Sequence, residues 1–187
     1  MDLSEINFAV LVASLIVAST PLVLAALGEL IVEKSGVLNL GVEGMMIIGA
    51  VTGFIVGVET GSAYIGMMAA AMAGALLSLL FAFIILIMQA NQVASGLALT
   101  IFGLGIAALM GHPYTGIKSP QISTISIPIL SEIPILGTMF FQHDLIVYLS
   151  LISVLTIWYF LTRMRAGLIL RSVGEDHDVA HSLGYRV

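Results

Sequence analysis

Between residues 6 and 27 this chain carries no charged side chain, and the same holds over residues 45–58, 64–88, 93–110 and 145–161. A helix crosses the hydrocarbon of a bilayer with about 20 mostly apolar residues. In lipid it is also the form in which a lone segment pairs all its own backbone N–H and C=O groups. These runs therefore predict an all-α, polytopic membrane protein with about five transmembrane helices, the second extending back toward residue 37. Soluble domains devote roughly a quarter of their residues to charge; here the charged share is 9% and the mean hydropathy +1.13.

Several classes of function are excluded by the same residues. A net charge of -5 offers no basic footprint for nucleic acid. The absence of cysteine removes disulfides and thiolate chemistry. Asp2 and Glu5 stand where a secretory leader carries Lys or Arg, so the first span is expected to be retained. Lys34 follows Glu33 and Lys118 follows Ile117, so neither belongs to a phosphate-binding Gly-x-x-x-x-Gly-Lys loop. Energy for any transport must come from a partner or a gradient, and no cofactor or metal is expected. His177 and His181 are four apart with Asp178 between them, which admits a zinc reading or a plain pair of surface histidines; a catalytic zinc also takes a third protein ligand.

Lys and Arg near span ends mark the cytoplasmic side. With Arg163, Arg165, Arg171 and Arg186 inside, alternation puts Lys34 inside, Lys118 outside and the N-terminus outside. The segment 111–143 is then an external loop, and Pro113, Pro120, Pro128 and Pro134 favour turns or extended backbone there. The predicted organisation is a transmembrane bundle over 1–162 and a cytoplasmic segment over 163–187.

Gly49, Gly53, Gly57 and Gly61 recur every fourth residue along the second span, and Gly66, Ala70, Gly74, Ser78 and Ala82 form a second stripe in the third. Small residues let helices approach closely in lipid. The stripes admit two readings, close packing or a surface along which helices slide. Between residues 28 and 44, charges alternate with apolar residues and glycines, which predicts a broken or re-entrant segment of the kind that lines transporter cavities. Asn39 and Glu43 are candidate residues of a solute path; the other reading leaves Glu29, Glu33, Lys34 and Glu43 as interfacial charges. Asn91 and Ser95 open the fourth span with a faint echo, Ser95-Gly96 matching Ser35-Gly36, and are candidates for the same path.

In the polar tail, Glu175, Asp176 and Asp178 gather at an expected helix start, where they complement its dipole. Gly184 suits a left-handed cap at its end. The intervening helix, with Val179, Ala180 and Leu183 on one side, is too short to be stable alone in water and needs a surface to pack on.

Residues 21–49, the Asn-Gln-Val-Ala-Ser-Gly element at 91–96 and the tail 167–187 together resemble the permease subunits of bacterial ATP-binding-cassette importers for simple sugars, nucleosides and branched-chain amino acids. Within that branch the stretch Ser-Gly-Val-Leu-Asn-Leu-Gly-Val-Glu-Gly-Met-Met is most similar to the nucleoside and simple-sugar type. The resemblance implies a cytoplasmic coupling helix seated in a groove of a separate ATPase subunit, with Arg171, Gly174, Glu175, Ala180 and Gly184 matching the pattern. It further implies a second permease subunit, an external substrate-binding protein and alternating access in the plasma membrane. Such permeases continue for roughly as many residues again, so this chain resembles an N-terminal part of one. The competing class is a gradient-driven transporter or channel without an ATPase, for which Glu43 is the one ionisable candidate.

Overall fold

The computed structural model describes residues 8–126, 136–182 and 184. Among them, five helices are long and apolar enough to cross a membrane: α1 (Phe8–Lys34), α2 (Val42–Thr60), α3 (Ala63–Ala82, continued as a π-helix over Phe83–Ile87), α4 (Gln92–Gly111, followed by a 3-10 turn over His112–Tyr114) and, further along, α6 (Leu145–Arg163). Between α4 and α6 come strand β1 (Thr124–Ser126), the short helix α5 (Leu136–Phe140) and strand β2 (Gln142–Asp144). After α6 follow α7 (Arg165–Glu175) and α8 (His177–Ser182).

The chain divides into two compact units, Val32–Ile122 and the combination of Met1–Ile31 with Ser123–Val187. In the first, α2 and α3 form an antiparallel hairpin closed by Gly61, which adopts φ +68° and donates its N–H to the Val58 carbonyl. Gly61 is thus a left-handed cap beyond the helix rather than a fourth member of the glycine stripe. The stripe faces α3. A methyl at Gly49 would lie 3.1 Å from the Ala70 carbonyl oxygen, and one at Gly53 2.8 Å from the Ala70 Cβ and 2.9 Å from the Gly66 carbonyl oxygen. A methyl at Gly57 would lie 3.8 Å from the Gly66 Cα and 3.5 Å from the Cγ of Pro120. With no hydrophobic drive between helices in lipid, such backbone approach and its dispersion contacts are what hold the hairpin. Deeper in the unit, Met45, Phe81, Ile85 and Leu99 form a buried cluster flanked by Val37 and Leu77.

The irregular connection between α1 and α2 is shorter than the sequence suggests. Residues 28–34 complete α1, with Glu33 and Lys34 exposed at its end, and the break is confined to 35–41. Leu, Ile, Val, Glu and Lys continue a helix readily, and Gly28 has open space around it, so nothing forces an earlier stop. The stop comes at Gly36, with φ +90°. Its N–H meets the Glu33 carbonyl at 3.0 Å and the Val37 N–H meets Val32 at 3.3 Å, a Schellman closure. The echo between Ser35-Gly36 and Ser95-Gly96 does not survive, because the first pair lies in this turn and the second inside the first turns of α4.

In the second unit, β1 and β2 pair antiparallel, with Ile125 opposite His143. Buried His143 places its Nε2 2.8 Å from the Met139 carbonyl oxygen, and its backbone N–H donates to the Tyr148 hydroxyl at 3.4 Å. This anchors the start of α6. Pro113 and Pro120 lie in turn and extended backbone; Pro128 and Pro134 are outside the described residues, as are Asp2 and Glu5.

Candidate functional site

All four solute-path candidates lie at the starts of α2 and α4, the helices that cross within the Val32–Ile122 unit. Buried Asn39 accepts the Gly41 N–H through Oδ1 at 2.9 Å, and its Nδ2 lies 3.7 Å from the Met45 sulfur, so it shapes the turn into α2. Asn91 caps α4, its Oδ1 accepting the Ala94 N–H at 3.0 Å. Glu43 is exposed on the first turn of α2. Half-buried Ser95 lines an open surface hollow of about 310 Å³ with Leu80, Ile84, Ala98, Leu99 and Phe102. Ile84 belongs to the π-helix, whose wider turn is closed by Met88 N–H to the Phe83 carbonyl at 3.3 Å.

The groups that hold this crossing were not among the sequence candidates. Gln92 accepts the Leu38 N–H through Oε1 at 2.8 Å, and the Thr100 hydroxyl donates to the Leu40 carbonyl at 3.0 Å. Two polar side chains of α4 thereby satisfy the non-helical backbone that precedes α2, a requirement in a low-water setting. The backbones touch through glycine. A methyl at Gly44 would sit 2.7 Å from the Leu99 carbonyl oxygen and 2.7 Å from the Thr100 Cα, one at Gly96 2.9 Å from the Gly41 nitrogen, and one at Gly103 2.8 Å from the Gly44 Cα. At the far end of the same pair, the Tyr114 hydroxyl donates to Glu59 at 2.8 Å. A sequence signal existed in the spacing of Gly96 and Gly103, seven apart and so on one face of α4.

The clamp carries a direct expectation. Gln92→Ala with Thr100→Val should lower stability by about 1 kcal/mol for each hydrogen bond removed, read as an earlier midpoint in SDS-induced unfolding. An unchanged midpoint would mean that the Leu38–Gly41 backbone finds other partners.

The polar tail is built differently from the expectation of one short helix. Arg165–Glu175 is itself a helix, so Glu175 closes α7 instead of opening α8. Asp176 takes the capping position before α8, its Oδ1 accepting the Asp178 N–H at 2.9 Å and its carbonyl the Ala180 N–H at 3.0 Å. Gly184, with φ +87°, donates to the His181 carbonyl at 2.9 Å. Ala180 is completely buried; Leu183 and the side chains of His177 and Val179 lie outside the described residues. The elbow between α6 and α7 is at Met164, in extended conformation. Gly167 is packed onto the Phe160 carbonyl, and the Arg171 guanidinium donates to the Leu161 carbonyl at 3.4 Å, where a cation complements the helix C-terminus. Gly174 is half-buried and Glu175 exposed. Among the described residues, no three His, Asp or Glu side chains gather as metal ligands would.

Five helices of membrane-spanning length, with α2 and α4 in glycine-mediated backbone contact, define a multi-pass membrane protein with an appended polar tail. The chain belongs to the family described as branched-chain amino acid transport system / permease component, which it matches over residues 11–187. It is 39% identical over 174 residues to a putative glucose ABC transporter permease protein of Haloferax volcanii, covering 91% of this chain and 53% of that one. It is 36% identical over 202 residues to the guanosine ABC transporter permease protein NupQ of Bacillus subtilis (100% of this chain, 62% of that one). To the nucleoside ABC transporter permease protein NupC of Lactococcus lactis it is 33% identical over 189 residues (95% and 60%). The chain therefore spans between 53% and 62% of the length of these relatives. No solved structure matches it significantly.

Proposed function

We propose that this chain acts as the transmembrane subunit of an ATP-driven importer in the plasma membrane, moving a nucleoside or a simple sugar inward by alternating access. The observation that carries the reading is that the permease family match runs through α7 and α8, the two-helix tail directly after the last span. The solute class follows the relatives, named for glucose, guanosine and nucleosides. A separate ATPase subunit binds the tail, a second permease subunit completes the path, and an external binding protein delivers solute to the 111–143 side. Arg163, Arg165 and Arg171 favour a cytoplasmic tail and, by alternation, an external N-terminus. Asn39, Glu43, Asn91 and Ser95 then stand at the cytoplasmic ends of α2 and α4, on the side where solute leaves.

In this reading the tail works as a lever. Gly167 and Arg171 join α7 to the last turn of α6, so ATPase closure that displaces α8 moves α7 and α6 together. Arg171, Gly174, Glu175, Val179, Ala180, Leu183 and Gly184 form the coupling segment, and the Gly49, Gly53 and Gly57 seam keeps α2 and α3 moving as one body. The test is co-purification of the ATPase subunit of the same system with detergent-solubilised chain. Reversing the exposed carboxylates, Glu175→Arg with Asp178→Arg, or removing residues 174–187, is expected to abolish association. Undiminished association in both variants would reject the coupling role.

A further inference from the structure

No carboxylate lies between Asp144 and Glu175, yet Arg163, Arg165 and Arg171 all fall within that stretch. Tyr159 and Arg163 are four residues apart on α6 and share a face with Leu155. Trp158 is 58% exposed and Tyr159 56%, and every residue over 162–166 is exposed. A span ends where its apolar run ends, so this stretch sits where hydrocarbon gives way to headgroups. Trp and Tyr favour that depth, and arginine there buries its stem in apolar surroundings while its guanidinium reaches the polar layer.

The elbow holds further groups at the same level. Because Gly167 rests on the Phe160 carbonyl, the first turns of α7 stay beside the last turn of α6, and the exposed apolar side chains of Met164 and Leu168 remain near the arginines. Arg171 is directed to the Leu161 carbonyl. Among the described residues neither Arg163 nor Arg165 is paired with a carboxylate.

We propose that the α6–α7 elbow is a binding site for an anionic phospholipid headgroup. Arg163 and Arg165 engage its phosphate, for which the planar guanidinium fork is suited, and Trp158, Tyr159 and Leu168 lie against the glycerol and upper acyl chain. A zwitterionic lipid offers the same phosphate with a cation beside it, so the site discriminates by net charge. The site does not depend on which solute the chain moves or on whether an ATPase docks.

The chain contains one tryptophan, Trp158, so the site carries its own reporter. The full chain is placed in phosphatidylcholine vesicles containing a titrated fraction of brominated phosphatidylglycerol or brominated phosphatidylcholine, and quenching of Trp158 is followed. A basic residue near an anionic surface strengthens association about fivefold, so the anionic lipid should show an apparent preference of roughly 25-fold for the pair. Arg163→Gln with Arg165→Gln should erase the preference, Arg163→Lys with Arg165→Lys should keep most of it, and Arg163→Gln alone should reduce it by about fivefold. Equal quenching of the unmodified chain by the two lipids overturns the proposal whatever the variants do. A preference that survives the double Gln substitution overturns it equally.

Discussion

Gly167→Ala is expected to release the polar tail from the last span. A Cβ at this position meets the Phe160 carbonyl oxygen and would stand 2.7 Å from the Phe160 carbonyl carbon and 2.8 Å from the Leu161 Cα. These are backbone atoms of the final turns of α6, and they cannot give way as the tip of a side chain could. The elbow must open, at a cost of about 1–3 kcal/mol for forced overpacking, which raises the open population by roughly 5- to 150-fold. Limited trypsin digestion at Arg165 and Arg171 should accelerate by a factor in that range, whereas Ala166→Ser, at an exposed neighbour, should leave the rate unchanged. If cleavage of the Gly167→Ala chain stays at the unmodified rate, α7 is not held by this contact and the lever in the proposed mechanism has lost its hinge.

Gly103→Ala and Gly105→Ala should behave oppositely although they are only two residues apart on α4. At Gly103 the new methyl lies 2.8 Å from both the Cα and the carbonyl oxygen of Gly44, while at Gly105 nothing stands within 4 Å. The first substitution drives α2 and α4 apart and should cost about 1–3 kcal/mol. The second should stabilise by roughly 0.5–1 kcal/mol, because Ala has the higher helix propensity. Both are read from SDS-unfolding midpoints, and Gly44→Ala, facing the Leu99 carbonyl oxygen and Thr100 Cα at 2.7 Å, should match or exceed Gly103→Ala. Equal shifts at 103 and 105 would show that the α2–α4 crossing does not depend on glycine contact.

The spans were legible because each condition that defines them is local. A run such as 93–110 without charge, bounded by Asn91 and the 112–116 turn, is read from its own residues, and the structure places α4 at Gln92–Gly111. The hairpin cap was less legible: Gly61 keeps the four-residue spacing of Gly49, Gly53 and Gly57, and only its positive φ separates it from the helix. The tail was half legible. Asp176 and Gly184 frame α8 by capping chemistry that any sequence shows, whereas α7 begins only two residues after a span ends, and its start is set by the fit of Gly167 onto α6.

By itself the sequence determined the class of protein, the positions of its membrane helices and the capping of the short helix α8, since hydropathy and caps act through residues close together along the chain. The tertiary structure alone decided which glycines touch backbone, that Gln92 and Thr100 hold the backbone before α2, and that Arg171 meets the end of α6. Those facts depend on pairs distant in sequence, Leu38 with Gln92 or Gly44 with Gly103, and a single sequence offers many glycines and polar side chains that could serve equally. The choice among them is made by close packing, where 1 Å of backbone separation distinguishes a glycine that must be glycine from one that need not be.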